Sequence, residues 1–250
     1  MISIYGRPGS HAVKEIVKGT SLVRYRKECT TVVNYGLAGK RLDFFRKKFP
    51  SSINKPTINR NIGISKYKMV KSVESIGLPV PDSYIKLPNS LDYNEFIIKK
   101  FNSQGGKGIK YATKRSQTTG YYYQRFINER QYELRVHAFS WISEDGWLVQ
   151  KRIGDRDKIA WNFSEGGKFY TITNKKTKII KEAINITAKV LKKMDMGFGA
   201  ADFILDNNNR LFFIEINSAP GFENLSRPYY IDVFNHLCKL DKNKVLFYAT

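Results

Sequence analysis

Two apolar runs near the C-terminus, Gly199–Leu205 and Leu211–Asn217, are joined by Asp206-Asn207-Asn208-Asn209. No other segment limits the possible folds of this chain so sharply. Side chains alternate faces along a strand, so Glu215 and Asn217 share one face while Ile216 takes the other. Asparagine tolerates positive φ, which predicts a two-residue turn at Asn208-Asn209. That register sets Asp202 directly opposite Glu215. Three oxygen-bearing side chains then converge on one face, and carboxylate and amide oxygens with room for water and phosphate suit Mg²⁺. On a solvent-facing sheet the same residues would be ordinary polar side chains. Both strands are otherwise almost wholly apolar, so at least one face is buried, and facing carboxylates there repel unless a cation lies between them. Asp202, Glu215 and Asn217 are therefore the candidate metal ligands.

The rest of the chain reads as alternating short elements with no internal repeat. Met1–Tyr5 is an expected strand ending at the turn Gly6-Arg7-Pro8-Gly9, followed by a helix over His11–Lys18. Thr30–Tyr35 is a β-branched strand that stops at Gly36, and Leu42–Phe49 is a basic amphipathic helix. Ser65 caps a helix carrying Met69, Val70, Val73 and Ile76 at helical spacing, stopped by Gly77. Leu78-Pro79-Val80-Pro81 is forced into extended backbone by its prolines. Strands are expected at Glu95–Phe101, Gly108–Ala112, Tyr121–Ile127, Glu133–Trp141 and Trp147–Ile153. Lys178–Met194 is the clearest helix, with Ile180, Ala183, Ile184, Thr187, Val190, Leu191 and Met194 on one face. Tyr230–Leu240 is an expected closing helix. The class is mixed α/β or α+β.

Composition excludes several alternatives. At 42% hydrophobic and 14% aromatic residues, the chain is too core-rich for intrinsic disorder. No apolar run approaches the roughly 18 residues of a membrane span. Met1–Pro8 lacks a signal-peptide profile, and two cysteines cannot form a disulfide framework. A soluble, cytoplasmic protein is expected. The net charge is +21, and residues 1–130 hold 25 Lys and Arg against 8 Asp and Glu. Such an excess suits a polyanionic partner, nucleotide or acidic acceptor. The surplus of Lys over Arg is also what an AT-rich genome produces.

Glu95–Gly108 delivers Lys99 and Lys100 into the turn Gly105-Gly106-Lys107-Gly108. Glycines let backbone N–H groups approach phosphate oxygens, and lysines add charge. The spacing is not that of a Walker-A loop, and a solvated hairpin could have the same composition. His11 reads as a helix start and His137 as a structural residue, and no Ser–His–Asp arrangement is visible.

Together, in this order, these elements resemble the ATP-grasp superfamily over roughly residues 53–221. Lys66, its helix and Gly77-Leu78-Pro79-Val80-Pro81 resemble the start of that domain. Phe96-Ile97-Ile98-Lys99 and Gly105–Ile109 resemble its nucleotide-covering hairpin. Gln124-Arg125-Phe126-Ile127 resembles its hinge, with Arg125 in place of the usual acidic residue. Glu133-Leu134-Arg135-Val136 resembles a conserved family strand. Asn162 with Gly166-Gly167 resembles a family loop, with Ala160 where many relatives have arginine. Glu215-Ile216-Asn217-Ser218-Ala219-Pro220-Gly221 resembles its metal-binding end. In kind, the chain is similar to ribosomal-protein glutamate ligases and to ATP-grasp proteins of tailed bacteriophages.

The resemblance implies an α+β, ATP-grasp fold, two lobes gripping ATP behind a small α/β lobe. The expected divisions are 1–60 for that first lobe, 61–126 for the lid and 127–250 for the metal-bearing subdomain. It implies an ATP-dependent carboxylate–amine ligase working through an acylphosphate, with ATP and Mg²⁺ or Mn²⁺ as cofactors. Asp202, Glu215 and Asn217 would hold the metal, and Lys66, Lys99, Gly105, Gly106, Lys107 and Gly108 the phosphates. Gln124, Phe126 and Ile127 would line the adenine pocket, and Glu133, with Glu129 as alternate, would take the ribose. Arg135 and Arg152 would stabilise the transferring phosphoryl group, and Asn162 beside them would bind phosphate or metal. Partners would be a carboxylate and an amine substrate, with an acidic or nucleic-acid-associated acceptor at the basic first lobe. If the source is a virus, the compartment is the host cytoplasm. The rival readings are a kinase of a small polyanion on the same fold, and a non-enzymatic nucleic-acid binder.

Overall fold

Three sheets account for the strands of the computed structural model, which describes residues 1–60, 62–102, 108–113, 119–155, 157–161, 166–221 and 225–249. The first contains β1 (Ile2–Gly6), β2 (Val23–Arg24), β3 (Thr31–Tyr35) and β4 (Thr57–Ile58). It is parallel, in the order β2-β1-β3-β4. Helices α1 (His11–Gly19) and α2 (Lys40–Lys48) follow β1 and β3. The Ser10 hydroxyl accepts from the Val13 amide and caps α1, whose Ala12, Val13 and Ile16 are buried. The expected apolar face of α2 is narrow: Leu42 is its one buried residue, and Phe44 is exposed.

The second sheet is antiparallel, with β5 (Ser83–Tyr84), β6 (Phe96–Lys100), β7 (Lys110–Tyr111) and β8 (Tyr121–Arg125) in the order β5-β8-β6-β7. The third contains β9 (Arg130–Phe139), β10 (Leu148–Ile153), β11 (Lys168–Thr171), β12 (Phe198–Asp206) and β13 (Leu211–Asn217). It too is antiparallel, ordered β11-β10-β9-β12-β13. Its apolar face, including Leu134, Val136, Ala201, Phe203 and Phe213, is covered by α3 (Lys66–Glu74) and α4 (Lys178–Lys193) through Val73, Ile180, Ala183 and Val190. Strand alternation turns Glu133, Arg135, Asp202 and Glu215 to the opposite face.

A second core joins the first and third sheets. The rings of Phe139 and Phe198 stack nearly parallel, 5.7 Å apart, against Tyr230 and Phe234 of α5 (Arg227–Lys239), Val245 of α6 (Lys242–Phe247), and Val13, Ile16 and Val33. Asn59, at φ 60°, adds a polar clasp. Its amide donates to the Phe198 carbonyl at 2.9 Å, and its oxygen accepts from the amides of Gly197 and Phe198. Among the described residues no helix is long and apolar enough to cross a membrane.

The β12–β13 hairpin corrects the sequence reading in one respect. Asp202 does face Glu215, but the turn is not the two-residue Asn208-Asn209. The Asp206 amide donates to the Arg210 carbonyl, which closes a three-residue loop with Asn209 at φ 58°. Asp206 Oδ1 accepts from the amides of Asn208 and Arg210 and fixes that loop. Near the turn Phe203 pairs with Phe213, and a bulge at Ile214 then shifts the register, so Asp202 pairs with Glu215. The extra residue also switches faces: Phe213 and Ile216 both reach the core although three positions apart.

Candidate active site

One register row crosses four strands of the third sheet: Gln150 on β10, Arg135 on β9, Asp202 on β12 and Glu215 on β13. A neighbouring row holds Phe169, Arg152, Glu133 and Ile204. The pleat thus places alternating charges side by side over an apolar layer. The Arg135 guanidinium donates twice to Asp202, Nε to Oδ1 at 2.7 Å and Nη2 to Oδ2 at 2.9 Å. Arg152 bonds Glu133 through both Nε and Nη2 and lies 3.9 Å from Asp202. Arg130 donates to Glu133 at 3.2 Å and to the carbonyls of Lys158 and Ile159, and its guanidinium stacks 4.3 Å above Trp161. The ring of Phe169 lies 5.3 Å from both Arg135 and Arg152.

The second sheet and α3 complete the site from across a cavity. Lys66, at the first position of α3, reaches Glu215 Oε2 at 2.5 Å, and Asn217 Nδ2 donates to Glu215 Oε1 at 3.0 Å. Lys99 donates to Gln124 Oε1 at 2.6 Å, and Gln124 Nε2 donates to Ser83 Oγ. Burial, then the charge of Lys66, pushes the Lys99 ammonium down to about 8. Burial would raise the Asp202 carboxyl, but Arg135 and then Arg152 hold it below its ordinary range. Glu215 is likewise held low: burial, the largest influence, and the nearby Asp202 would raise it, but the charge and hydrogen bond of Lys66 together with the Asn217 amide bring it below its ordinary range. Both carboxylates are therefore anions at neutral pH, each with a cation of its own.

The cavity measures about 800 Å³, within the range of small-molecule sites. All three sheets meet around it. Seven of its described lining residues are cationic (Arg7, Lys66, Lys99, Arg125, Arg130, Arg135, Arg152) and three are acidic (Glu133, Asp202, Glu215). The walls suit a ligand with several negative charges. Gln124, Arg125, Phe126 and Ile127 form one edge with Pro81, and Ile97, Ile204 and Ile214 provide apolar surface. Arg125, at the hinge position, pairs with Asp82 at 2.9 Å and Glu95 at 2.5 Å, which accounts locally for a basic residue there.

Asp202, Glu215 and Asn217 fit a hard divalent cation in their chemistry: two anionic carboxylates as register partners, and an amide two residues along. In this structure Lys66 sits on Glu215 Oε2 and Arg135 on both Asp202 oxygens, so a cation at these carboxylates would compete with both. Lys66, Lys99, Gln124, Phe126, Ile127, Arg135 and Arg152 all line the cavity. Glu133 does too, with its carboxylate committed to Arg130 and Arg152; Glu129 is exposed. Gly108, at φ 79°, is followed by Ile109, which lines the cavity. Gly105, Gly106, Lys107 and Asn162 lie outside the described residues. His137 is buried between Tyr230 and Gln150 and pushed down to about 3 by burial, a structural residue as expected.

Sequence reasoning missed Arg130, Trp161 and Arg7. Nothing local marks Arg130, whose partners Lys158 and Ile159 come from a distant loop. Arg7 was visible as an arginine in the turn after the first strand. The first lobe is held beside the site by Tyr35, whose hydroxyl donates to the Pro220 carbonyl at 2.8 Å. It is also held by Gly36, at φ 82°, where a Cβ would come within 2.3 Å of the Ala219 Cβ.

Residues 64–221 match the family model of the ATP-grasp domain. No curated protein matches the sequence. The fold is similar to that of the ATP-grasp ligase PsnB complexed with a phosphomimetic variant of its minimal precursor, Mg and ADP. That likeness has a TM-score of 0.63 at 12% identity and covers 92% of this chain and 96% of that one. The macrocyclase MdnC of Microcystis aeruginosa MRC, bound to precursor peptide MdnA, superposes with a TM-score of 0.59 at 12% identity, covering 97% and 99%. The D-alanine–D-alanine ligase of Bacillus anthracis gives 0.59 at 12%, covering 99% and 95%.

Proposed function

This chain belongs to the ATP-grasp family, and on that premise we propose that it is an ATP-dependent carboxylate–amine ligase. The observation that carries this reading is that one cavity is lined by the Asp202–Glu215 pair together with Lys66 and Lys99. Such a site can seat a polyphosphate between cations and a metal-binding carboxylate pair. Mg²⁺ or Mn²⁺, held by Asp202, Glu215 and Asn217, would supply positive charge to phosphate oxygens.

In this reading Lys99 and Lys66 bind the α- and β-phosphates, and the Gly105–Gly108 segment contributes further phosphate donors. The adenine lies along Gln124–Ile127. Arg135 and Arg152, with planar paired donors, face the transferring phosphoryl group. Glu133 fixes Arg152 and Arg130 in place, and its ribose contact is the weaker of its two roles. A substrate carboxylate attacks the γ-phosphorus and ADP leaves. An amine then attacks the acylphosphate carbon, and phosphate departs as the amide forms. Residues 1–60 act as the substrate-side lobe, 61–126 as the lid and 127–250 as the metal-bearing part. Solved neighbours include ligases complexed with precursor peptides, which supports a peptide or protein as one substrate. Ligases of the ribosomal-protein glutamate type and those of phages are the finer comparison, and a cytoplasm the site of action.

The test is incubation with ATP, Mg²⁺, amino acids and peptides, measuring ADP, free phosphate and new amide adducts by mass spectrometry. A ligase releases ADP and phosphate in equal amounts, whereas phosphate retained on a product indicates a kinase. Glu215→Ala should abolish Mg²⁺-dependent ADP formation while leaving the fold intact, and unchanged ADP formation by that variant refutes the metal assignment.

A further inference from the structure

The first sheet has a feature that the nucleotide site does not use. Its strand order, β2-β1-β3-β4, makes the chain leave β1 toward one edge and β3 toward the other. Open parallel sheets bind ligands in the crevice outside the carboxyl ends of strands at such a switch point. Here Arg7 follows β1, while Gly39 precedes α2 and Lys40 and Arg41 are its first two residues. These residues line a second cavity, of about 1020 Å³, whose facing wall carries Lys66 and Lys100. Its described lining includes five cations and one carboxylate, Glu215, which Lys66 already neutralises. Burial, and then the like charge of Arg41, lowers the proton affinity of Arg7, so the two guanidiniums share one field. At α2's start Gly39 provides no side-chain cap, which adds the positive end of a helix dipole to the same wall.

Three further observations narrow the occupant. Arg7, Lys66, Glu215 and Asn217 line both cavities, so the second opens onto the proposed phosphoryl-transfer centre. Part of its wall is apolar and adaptable, with Ile62, Met69, Met194 and Met196, and Asn102 and Ser218 add neutral polar groups. Phe101 is the one aromatic residue among the described lining, and its ring already stacks on Tyr122, so the described wall does not offer the series of aromatic platforms on which successive nucleobases stack. The volume lies at the upper end for small-molecule sites and suits a chain segment.

We propose that this crevice docks an acidic peptide segment, with Lys40, Arg41 and Arg7 holding a non-reacting carboxylate while a neighbouring carboxyl group lies beside Lys66 and Asn217. This deepens the ligase reading and rests on it. It also locates the functional charge of the first lobe at the start of α2. Arg46, Lys47 and Lys48, in the last turn of α2, do not line either cavity.

The experiment is fluorescence anisotropy of labelled hexa-L-glutamate and hexa-L-glutamine with the full chain and saturating ADP and Mg²⁺. Hexaglutamate should bind at least about tenfold more tightly than hexaglutamine. Arg41→Gln and Lys40→Gln should each weaken it about threefold or more, whereas Lys47→Gln and Lys48→Gln should not. ADP affinity should stay at the wild-type value in all four. Equal binding of the two peptides, equal losses from the Lys47 and Lys48 variants, or displacement by oligodeoxythymidylate at equal concentration overturns the inference. ADP binding without peptide binding sinks this inference alone. Failure to bind ADP sinks the ligase reading, and this inference with it.

Discussion

Replacing Lys99 by methionine is expected to stabilise the fold and to remove nucleotide binding. The Lys99 side chain is buried, with its ammonium on Gln124 Oε1 at 2.6 Å. Burial, then Lys66, pushes its pKa down from 10.5 to about 8. At pH 7 both the folded and unfolded chains keep the proton, so the fold bears the full penalty of that charge, about 3 kcal/mol. Methionine occupies a similar volume without charge but leaves Gln124 Oε1 without its donor, a loss of about 1 kcal/mol. The variant should therefore be about 2 kcal/mol more stable at pH 7. The folded pKa is the lower one, so the penalty is complete below about pH 8 and fades as pH rises toward 10.5. Wild type should accordingly catch up with the variant over that window; tyrosine titrations occur in both chains and cancel. Urea unfolding at pH 7 and pH 10 measures the gap, and calorimetry measures ADP binding with Mg²⁺. A variant less stable than wild type at pH 7, or a gap unchanged at pH 10, refutes the assignment of a charge held at the fold's expense. Wild-type ADP affinity would remove Lys99 from the nucleotide site.

Arg135→Leu should destabilise the chain by about 3–5 kcal/mol, because it strips both close donors from the buried Asp202 carboxylate. Adding Asp202→Asn should recover part of the loss in urea unfolding, and a single-variant loss under about 1 kcal/mol would mean that water solvates that carboxylate. Gly36→Ala places a methyl group at φ 82° and within 2.3 Å of the Ala219 Cβ; about 1–3 kcal/mol of backbone strain follows, before the overlap is counted. Ala219→Gly in the same chain should relieve only the overlap, and a single variant as stable as wild type contradicts the close approach. His137, pushed down to about 3, should stay neutral, with its imidazole NMR resonances constant from pH 5 to 8. Since the unfolded chain protonates first, His137 makes stability fall as pH drops from 6.5 toward 3; a titration midpoint near 6.5 would remove this contribution.

The residue pattern alone determined which side chains could serve the site wherever one strand or one local pairing carried the information. Glu215 and Asn217 share a face because side chains alternate, and Asp202 lies opposite because the two strands form one hairpin. Even there the correct pairing came through compensation: a turn one residue longer than expected is offset by the bulge at Ile214, which β-periodicity cannot reveal. The long helix α4 was legible from its apolar face, whereas β2, β4, β5, β11 and α6 are too short to build a period. Tertiary structure alone decided what neutralises each carboxylate. Lys66 and Glu215 are 149 positions apart and meet at 2.5 Å; Arg135 and Asp202 are 67 apart and meet twice. A charge's protonation depends on what surrounds it in space, so sequence could name Lys99 but not its depressed pKa. Likewise it could count the basic residues of the first lobe, but only the parallel strand order shows that Lys40 and Arg41, and not the residues from 46 to 48, open onto the second cavity.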